Sequence, residues 1–223
     1  NCFNKAIDLS KLNNDIALIN GPISKKHFLK KKYLGITEYL IKKTNSKSYA
    51  MLIYNKNLSV SPITTHLPLS KVHKNIGRDK IIKKIQLINE FYKSKLKIRP
   101  NVAILGLNPH CESIQKVSEE KKIIIPSIKY LKKNRYKIEG PYSTDTFFID
   151  KNLKKFDVVI GMYHDQVLTP IKTLYKFDAI NITIGLPFIR ISPDHGPNYE
   201  MIGKNISDPS SIFKAIEFIN KLK

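Results

Sequence analysis

The chain has 223 residues, enough to bury a sizeable core as one large domain or two small ones. Two cysteines, Cys2 and Cys111, lie far apart in sequence, which excludes a disulfide-framed scaffold and points to a reducing compartment, so the expected location is cytoplasmic. The formal charge of +21 invites a nucleic-acid reading, but of 39 basic residues only Arg78, Arg99, Arg135 and Arg190 are arginines, and the lysines are spread along the whole chain. Base readout and bidentate phosphate contacts favour arginine, so solvated faces and attraction of a small anionic substrate are expected instead of a nucleic-acid partner.

No run of about 18 apolar residues occurs, and "NCFNKAIDLSKLNNDIALIN" lacks the basic head and apolar stretch of a signal peptide, so no membrane partner is expected. In chain order, "DIALIN" (15–20) predicts the first buried strand. "NGPISKKHF" reads as a connection into a helix whose amides, helped by Lys25, could hold an anion, although a plain connection explains it as well. "YAMLIY" (49–54) and "LSVSPITT" (58–65) predict two more strands, the second followed by His66. Ile81, Ile85, Ile88 and Tyr92 repeat at helical spacing and predict a helix over 79–96.

"NVAILGL" (101–107) predicts a strand followed by His110, and "SIKYLKKN" (127–134) a helix. "FDVVIGM" (156–162) predicts a strand followed by His164 and Asp165, and "AINITIG" (179–185) another. The C-terminal "SSIFKAIEFINKLK" predicts a helix opened by Ser207, Asp208 and Pro209. Strands alternating with helices make this an α/β protein with a largely parallel sheet covered on both faces.

Three histidines therefore follow three strands, at the ends where open α/β sheets bind ligands. A single such histidine is ordinarily a structural hydrogen bonder, whereas three at equivalent positions suit a divalent metal with coordination sites left for substrate. Asp165 could orient an imidazole, act as a base, or simply cap a helix. His27 and His73 read as surface residues, and His195 in "SPDHGPN" either lines a site or turns the chain. There is no GxGxxG and no GxxxxGK[ST], so no nucleotide fingerprint locates a cofactor.

"GPISK", "GITEYL", "TTHLPLS", "LGLNPH", "GPYSTDTFF", "MYHDQ", "INITIGLPFIR" and "SPDHG" occur in one order and spacing, and together they resemble the 4-hydroxythreonine-4-phosphate dehydrogenase family of pyridoxal 5′-phosphate biosynthesis. The resemblance implies an isocitrate/isopropylmalate-dehydrogenase-like two-domain α/β/α fold lacking its N-terminal part. Residues 1–24 and 173–223 would be the remnant of a discontinuous first domain. Residues 25–172 would form a middle domain carrying the metal ligands and a homodimer interface, with an active site shared between subunits. It further implies His66, His110 and His164 as ligands of a divalent metal (Zn, Mg or Co), and Thr37, Lys172, Asn181 and Arg190 as substrate-binding residues.

The implied reaction is NAD-dependent oxidation and decarboxylation of 4-phosphooxy-L-threonine to 3-amino-2-oxopropyl phosphate. Its proton acceptor is open among Lys172, Asp165 and Asp145. The same histidines also admit a metal-dependent hydrolase or lyase acting on another phosphorylated metabolite. Three positions depart from the family pattern. Ile36 replaces the histidine of TGHTE and is expected to weaken substrate binding. "CESIQKVSEE" replaces a glycine-rich stretch after LNPH. Val167 follows MYHDQ in place of glycine. The family's N-terminal GDPAGIGPE segment is absent, so the chain is expected to be a fragment.

Overall fold

A computed structural model of the chain describes all residues except 1, 14–15, 30–31, 34, 113–116, 150 and 223; the side chain of Lys25 and Asp15 of the first predicted strand lie outside the described part. In order the elements are α1 (Cys2–Leu12), β1 (Ala17–Ile19), α2 (Lys25–Phe28), α3 (Ile36–Thr44), β2 (Ala50–Tyr54), β3 (Ser59–Pro62), α4 (Val72–Asn75) and α5 (Arg78–Phe91). There follow β4 (Val102–Leu105), α6 (Ile125–Lys133), β5 (Ile138–Tyr142), α7 (Thr144–Phe147) and β6 (Val158–Gly161). The chain ends with α8 (His164–Tyr175), β7 (Ile180–Ile184), β8 (Ile189–Pro193) and α9 (Ser210–Lys221). No helix among the described residues is long and apolar enough to cross a membrane.

All eight strands form one sheet in the order β1-β8-β7-β2-β3-β6-β4-β5. The sheet is mixed, which corrects the expectation of a largely parallel one. β2 is antiparallel to β3 and β7, and β7 is antiparallel to β8. Short connections make β2–β3 and β7–β8 antiparallel, because a parallel pair needs a long crossover, whereas β2 and β7 are far apart in sequence. β2 turns into β3 across "NKN", where the Asn55 side chain accepts from the Asn57 amide at 2.9 Å. β7 turns into β8 at Gly185, whose φ of +97° and position 2.3 Å from the Ser48 carbonyl (measured to a built Cβ) leave no room for a side chain.

β5 and β8 are strands that the sequence did not announce. "IEGPY" carries a glycine-proline pair that reads as a turn and is tolerated because β5 is the sheet edge. "IRISP" is short and lies between proline-bearing turns. The predicted helix over 79–96 is α5 continued by one wider turn, Tyr92–Leu96, and closed by Lys97 in the left-handed region. At α9 the Asp208 carboxylate accepts from the Ser210 amide at 2.8 Å, so one orphan donor of the first turn is satisfied.

Strand alternation sorts side chains between the two faces. Ala50, Leu52, Ile180, Ile182, Ile184 and Ile191 pack with Ile81, Ile85 and Ile88 of α5 and with Ala215 and Phe218 of α9. Burial of each of these isoleucines contributes about 1.5–3 kcal/mol, and Ile85→Ala would cost about 2–5 kcal/mol. On the opposite face Met51, Ile53, Val60 and Val159 pack beneath Val167, Leu168 and Ile171 of α8. Val167 is fully buried inside that helix, so its side chain there is a core contact and not a strained substitute for glycine. A third cluster of Ile7, Leu18, Leu40 and Phe188 fastens α1 and α3 beside β1.

Candidate active site

The segment "INITIGLPFIRIS" builds half of a cleft by alternation alone. In β7 the isoleucines turn to the α5 side, leaving Asn181 and Thr183 on the α8 face. The antiparallel register sets Asn181 against Ser192 and Thr183 against Arg190, while Asn181 also lies opposite Ile53 of β2. Four polar side chains thus share one face of two neighbouring strands, β7 and β8. Asn181, Arg190 and Ser192 line a cleft of about 320 Å³ together with Asn20, Ile36, Thr37, His66, His164, Lys172, Asp194 and His195.

Arg190 is 1% exposed. Its Nε donates to Asn20 Oδ1 at 2.7 Å and its Nη1 to Thr183 Oγ1 at 3.1 Å. Burial lowers its pKa to about 10, and no carboxylate pairs with it among the described residues. An arginine offers five donors and stays charged at neutral pH, so this geometry leaves a desolvated cation whose neutral partners do not compensate its charge. Asn181 Oδ1 is likewise buried with no hydrogen-bond partner among the described residues.

Lys172, two turns into α8, donates to the Asp194 main-chain carbonyl and pairs with the Asp194 carboxylate at 3.0 Å. Burial raises the Asp194 pKa, opposed by the positive charge of Lys172. Thr37 is buried near the start of α3, and His195 lines the cleft edge with its ring 5.8 Å from that of Phe177. His27 and His73 are exposed.

Beyond Pro62 the chain stays tied to the extension of β6. The Ile63 amide donates to Gly161 and the Thr64 amide and hydroxyl donate to Met162, the last at 2.8 Å. This carries His66 alongside His164 at the start of α8, with ring centroids 5.9 Å apart. His66 Nδ1 lies 3.2 Å from Glu38 Oε1, and His164 Nδ1 lies 2.6 Å from Asp165 Oδ1. An imidazole that gives its Nδ1 hydrogen to a carboxylate presents Nε2 as a lone-pair donor, which is the donor set a divalent ion takes. Asp165, read from sequence as ligand-orienting, base or cap, stands in the first turn of α8 against the His164 ring; the cap position is Tyr163.

His110 is not part of this cleft. Its side chain is 70% exposed and its Nδ1 faces Asp145 Oδ2 at 3.5 Å. His110 and Cys111 both adopt left-handed backbone, at φ 56° and 58°, a cost of the order of 1–3 kcal/mol each that surrounding contacts must offset. Glu120 braces the residues just before His110 and Cys111. Its buried carboxylate accepts from the Leu107 and Asn108 amides at 2.8 Å, and although burial opposes ionisation, the Asn108 hydrogen bonds prevail and lower its pKa. The structure therefore brings together two of the three predicted metal ligands. Among the described residues no group of three or more His, Cys, Asp or Glu is placed to hold a metal ion.

Sequence reasoning passed over Asn20, Thr183 and Glu38, which support the site from behind, and Gln166. Gln166 is buried, accepts from the Met162 amide at 2.6 Å, and donates to the Gly106 carbonyl and Thr144 hydroxyl. It ties together the segments that follow β4 and β6, and its place in "MYHDQ", two residues after the histidine, was the available signal.

The sequence profile described as "Pyridoxal phosphate biosynthetic protein PdxA" matches residues 1–219. The 4-hydroxythreonine-4-phosphate dehydrogenase of Sulfurihydrogenibium sp. is 47% identical over 211 residues, covering 93% of this chain and 65% of that protein. The chain thus spans just under two thirds of the length of that relative. The crystal structure of 4-hydroxythreonine-4-phosphate dehydrogenase from Klebsiella pneumoniae superposes with a TM-score of 0.82 at 31% identity, covering 98% of this chain and 69% of that one. An isocitrate dehydrogenase from Methylococcus capsulatus shares the fold alone, with a TM-score of 0.61 at 11% identity. Two strand-end histidines backed by carboxylates, a buried arginine facing a polar cleft and a profile match along nearly the whole chain lead to one conclusion: this chain belongs to the PdxA family of pyridoxal phosphate biosynthetic proteins.

Proposed function

We propose that the cleft serves NAD-dependent oxidation and decarboxylation of 4-phosphooxy-L-threonine to 3-amino-2-oxopropyl phosphate, the activity of a 4-hydroxythreonine-4-phosphate dehydrogenase. The observation that carries this reading is Arg190, a buried guanidinium without a carboxylate partner among the described residues, in the same cleft as the His66 and His164 pair. A phosphate or carboxylate gives that cation its missing counter-charge, through the arginine's planar fork. Lys172 supplies a second positive charge, held near the cleft by Asp194. Asn181 Oδ1 accepts from a substrate hydroxyl or amine, which satisfies its buried oxygen. Thr37 contacts the substrate from the start of α3.

His66 and His164 fit a divalent metal, Zn, Mg or Co, because each has Nδ1 turned to a carboxylate. When bound, metal and NAD supply the Lewis acidity and the hydride acceptor that the oxidation and loss of CO₂ require. The chain's own contribution is orientation of the substrate and exclusion of water. Lys172, and more weakly Asp165, are the groups assigned to proton movement. His110, exposed on its left-handed loop, is assigned as the third ligand in a homodimer whose sites draw on both subunits, the partner's His110 completing each. A division into residues 1–24 with 173–223 and residues 25–172 is supported by the sheet, where β1, β8 and β7 are contiguous at one end. The setting assigned is the cytoplasm.

Ile36 lines the cleft where the family has a histidine, so substrate affinity is set lower than a hydrogen-bonding side chain would allow. The test is NADH formation from 4-phosphooxy-L-threonine, abolished by a chelator, restored by Zn²⁺, Mg²⁺ or Co²⁺ and lost in His164→Ala. Activity unaffected by both chelator and His164→Ala would overturn the reading. The hydrolase or lyase alternative shares the histidines, but the dehydrogenase relatives weigh against it, and calorimetric NAD binding separates the two.

A further inference from the structure

His66 is the wall between two cavities. On one side is the cleft; on the other is a chamber of about 470 Å³ lined by Glu38, Tyr49, Thr65, Lys80 and Lys84, among others. Glu38, in the first turn of α3, approaches the His66 ring from that second chamber with Oε1 3.2 Å from Nδ1. It is therefore behind the ring relative to substrate, where it can act on the imidazole without competing for the cleft.

An independent feature points to the same contact. A Cβ added at Gly35 would lie 2.8 Å from Glu38 Oε2, 3.0 Å from His66 Cε1 and 3.2 Å from His66 Nδ1. Real Cβ atoms essentially never come closer than about 3 Å to other heavy atoms, so any side chain at position 35 pushes the carboxylate or the ring aside. The two side chains, from separate elements, meet over this glycine, so a side chain there disturbs their contact. Glu38 also carries charge on the buried side of the ring, since it favours the ammonium form of Lys84 and disfavours ionisation of Tyr49.

We propose that Glu38 is the positioning residue for His66, taking its Nδ1 hydrogen so that the ring is fixed with Nε2 presented to the cleft. A neutral imidazole has two tautomers, and only the one with hydrogen on Nδ1 leaves Nε2 free as a ligand; a carboxylate on Nδ1 selects that tautomer and fixes the ring plane. The consequence for metal affinity rests on the metal reading given above, whereas the tautomer does not.

Long-range ¹H–¹⁵N NMR of the metal-free protein reads the tautomer, and visible absorption of Co²⁺ reads the affinity. The wild type is expected to show His66 protonated on Nδ1. Glu38→Gln, whose amide oxygen still accepts, keeps that tautomer and holds the Co²⁺ Kd near the wild-type value. Glu38→Ala mixes the tautomers and weakens Co²⁺ about 10- to 100-fold, the range found for outer-shell partners of metal ligands. Gly35→Ala, which keeps the carboxylate but displaces it, falls between. An Nε2-protonated His66 in the wild type, or a Glu38→Ala protein with unchanged tautomer, overturns the proposal. Should the tautomers behave as expected while the wild type takes up no Co²⁺, the metal reading falls and the Glu38–His66 link stands.

Discussion

Among the described residues each face of the sheet buries one cation, and the two are handled differently. Lys84, on the α5 side, places its Nζ 2.7 Å and 3.0 Å from the Pro62 and Ile63 carbonyls at the end of β3. Arg190, on the α8 side, meets only an asparagine oxygen and a threonine hydroxyl. The lysine has a second way out. Burial, reinforced by nearby Lys80, lowers its pKa to about 7, so near neutral pH it sheds much of its charge. An arginine whose pKa falls only to about 10 cannot do this and must keep its cation dehydrated. Lys84 is thus a structural strut under the segment that leads to His66, and Arg190 is the cation to which the proposed function assigns an anionic substrate group.

The largest expected effect breaks the comparison on the lysine side. Lys84 titrates near 10.5 when unfolded and about 7 when folded, so between those values the unfolded chain binds the extra proton. Stability should rise with pH across that window, and below about pH 7 the full penalty is present, about 4–5 kcal/mol at 1.36 kcal/mol per pKa unit. Urea unfolding at pH 6 and pH 9 should show this slope in the wild type and lose most of it in Lys84→Met. A slope of equal size in both would place the penalty elsewhere.

Next in size is the arginine. Arg190→Met removes an uncompensated buried charge, so the unliganded protein should unfold at an equal or higher temperature in calorimetry. Loss of stability by more than about 2 kcal/mol would mean that the cation is already paid for within the fold. Asn181→Leu removes a buried oxygen without a partner. It should leave stability level or raise it by about 1 kcal/mol in urea unfolding, while the KM for substrate rises about 10-fold. The smallest effect is a gain: Ile36→His should lower that KM about 2- to 10-fold, as expected for one net hydrogen bond of about 0.5–1.5 kcal/mol.

The same two faces show what could be read from sequence. Strict alternation in "INITI" announces both a strand and the polar row of Asn181 and Thr183, and apolar runs ending before His66, His110 and His164 announce three parallel strand ends. β5 stayed hidden because its Gly-Pro pair carries turn chemistry, and β8 because one strand of five residues between turns holds too little pattern. The β2–β3 and β7–β8 antiparallel pairs follow from turn lengths that are visible only once both flanking strands are known, and the β2–β7 pair joins strands distant in sequence. The site was half legible. β3, β6 and β4 are neighbours in the sheet and their ends do lie together, yet His110 diverges because the backbone at His110 and Cys111 turns left-handed, just after the Leu107 and Asn108 amides that Glu120 holds. Such a local reversal leaves no mark in the spacing of histidines. Arg190 stands out as substrate-binding only through the family resemblance; that it is buried, against Thr183 across the β7–β8 register, is visible only in the fold.

The central claim is that Arg190 waits for the phosphate or carboxylate of the substrate. Calorimetric titration of 4-phosphooxy-L-threonine into wild type and Arg190→Met tests it most directly. The expected result is a loss of about 2–4 kcal/mol of binding free energy, roughly 30- to 1,000-fold in Kd, in a variant that is as stable as the wild type. Equal affinity in the two proteins would contradict it.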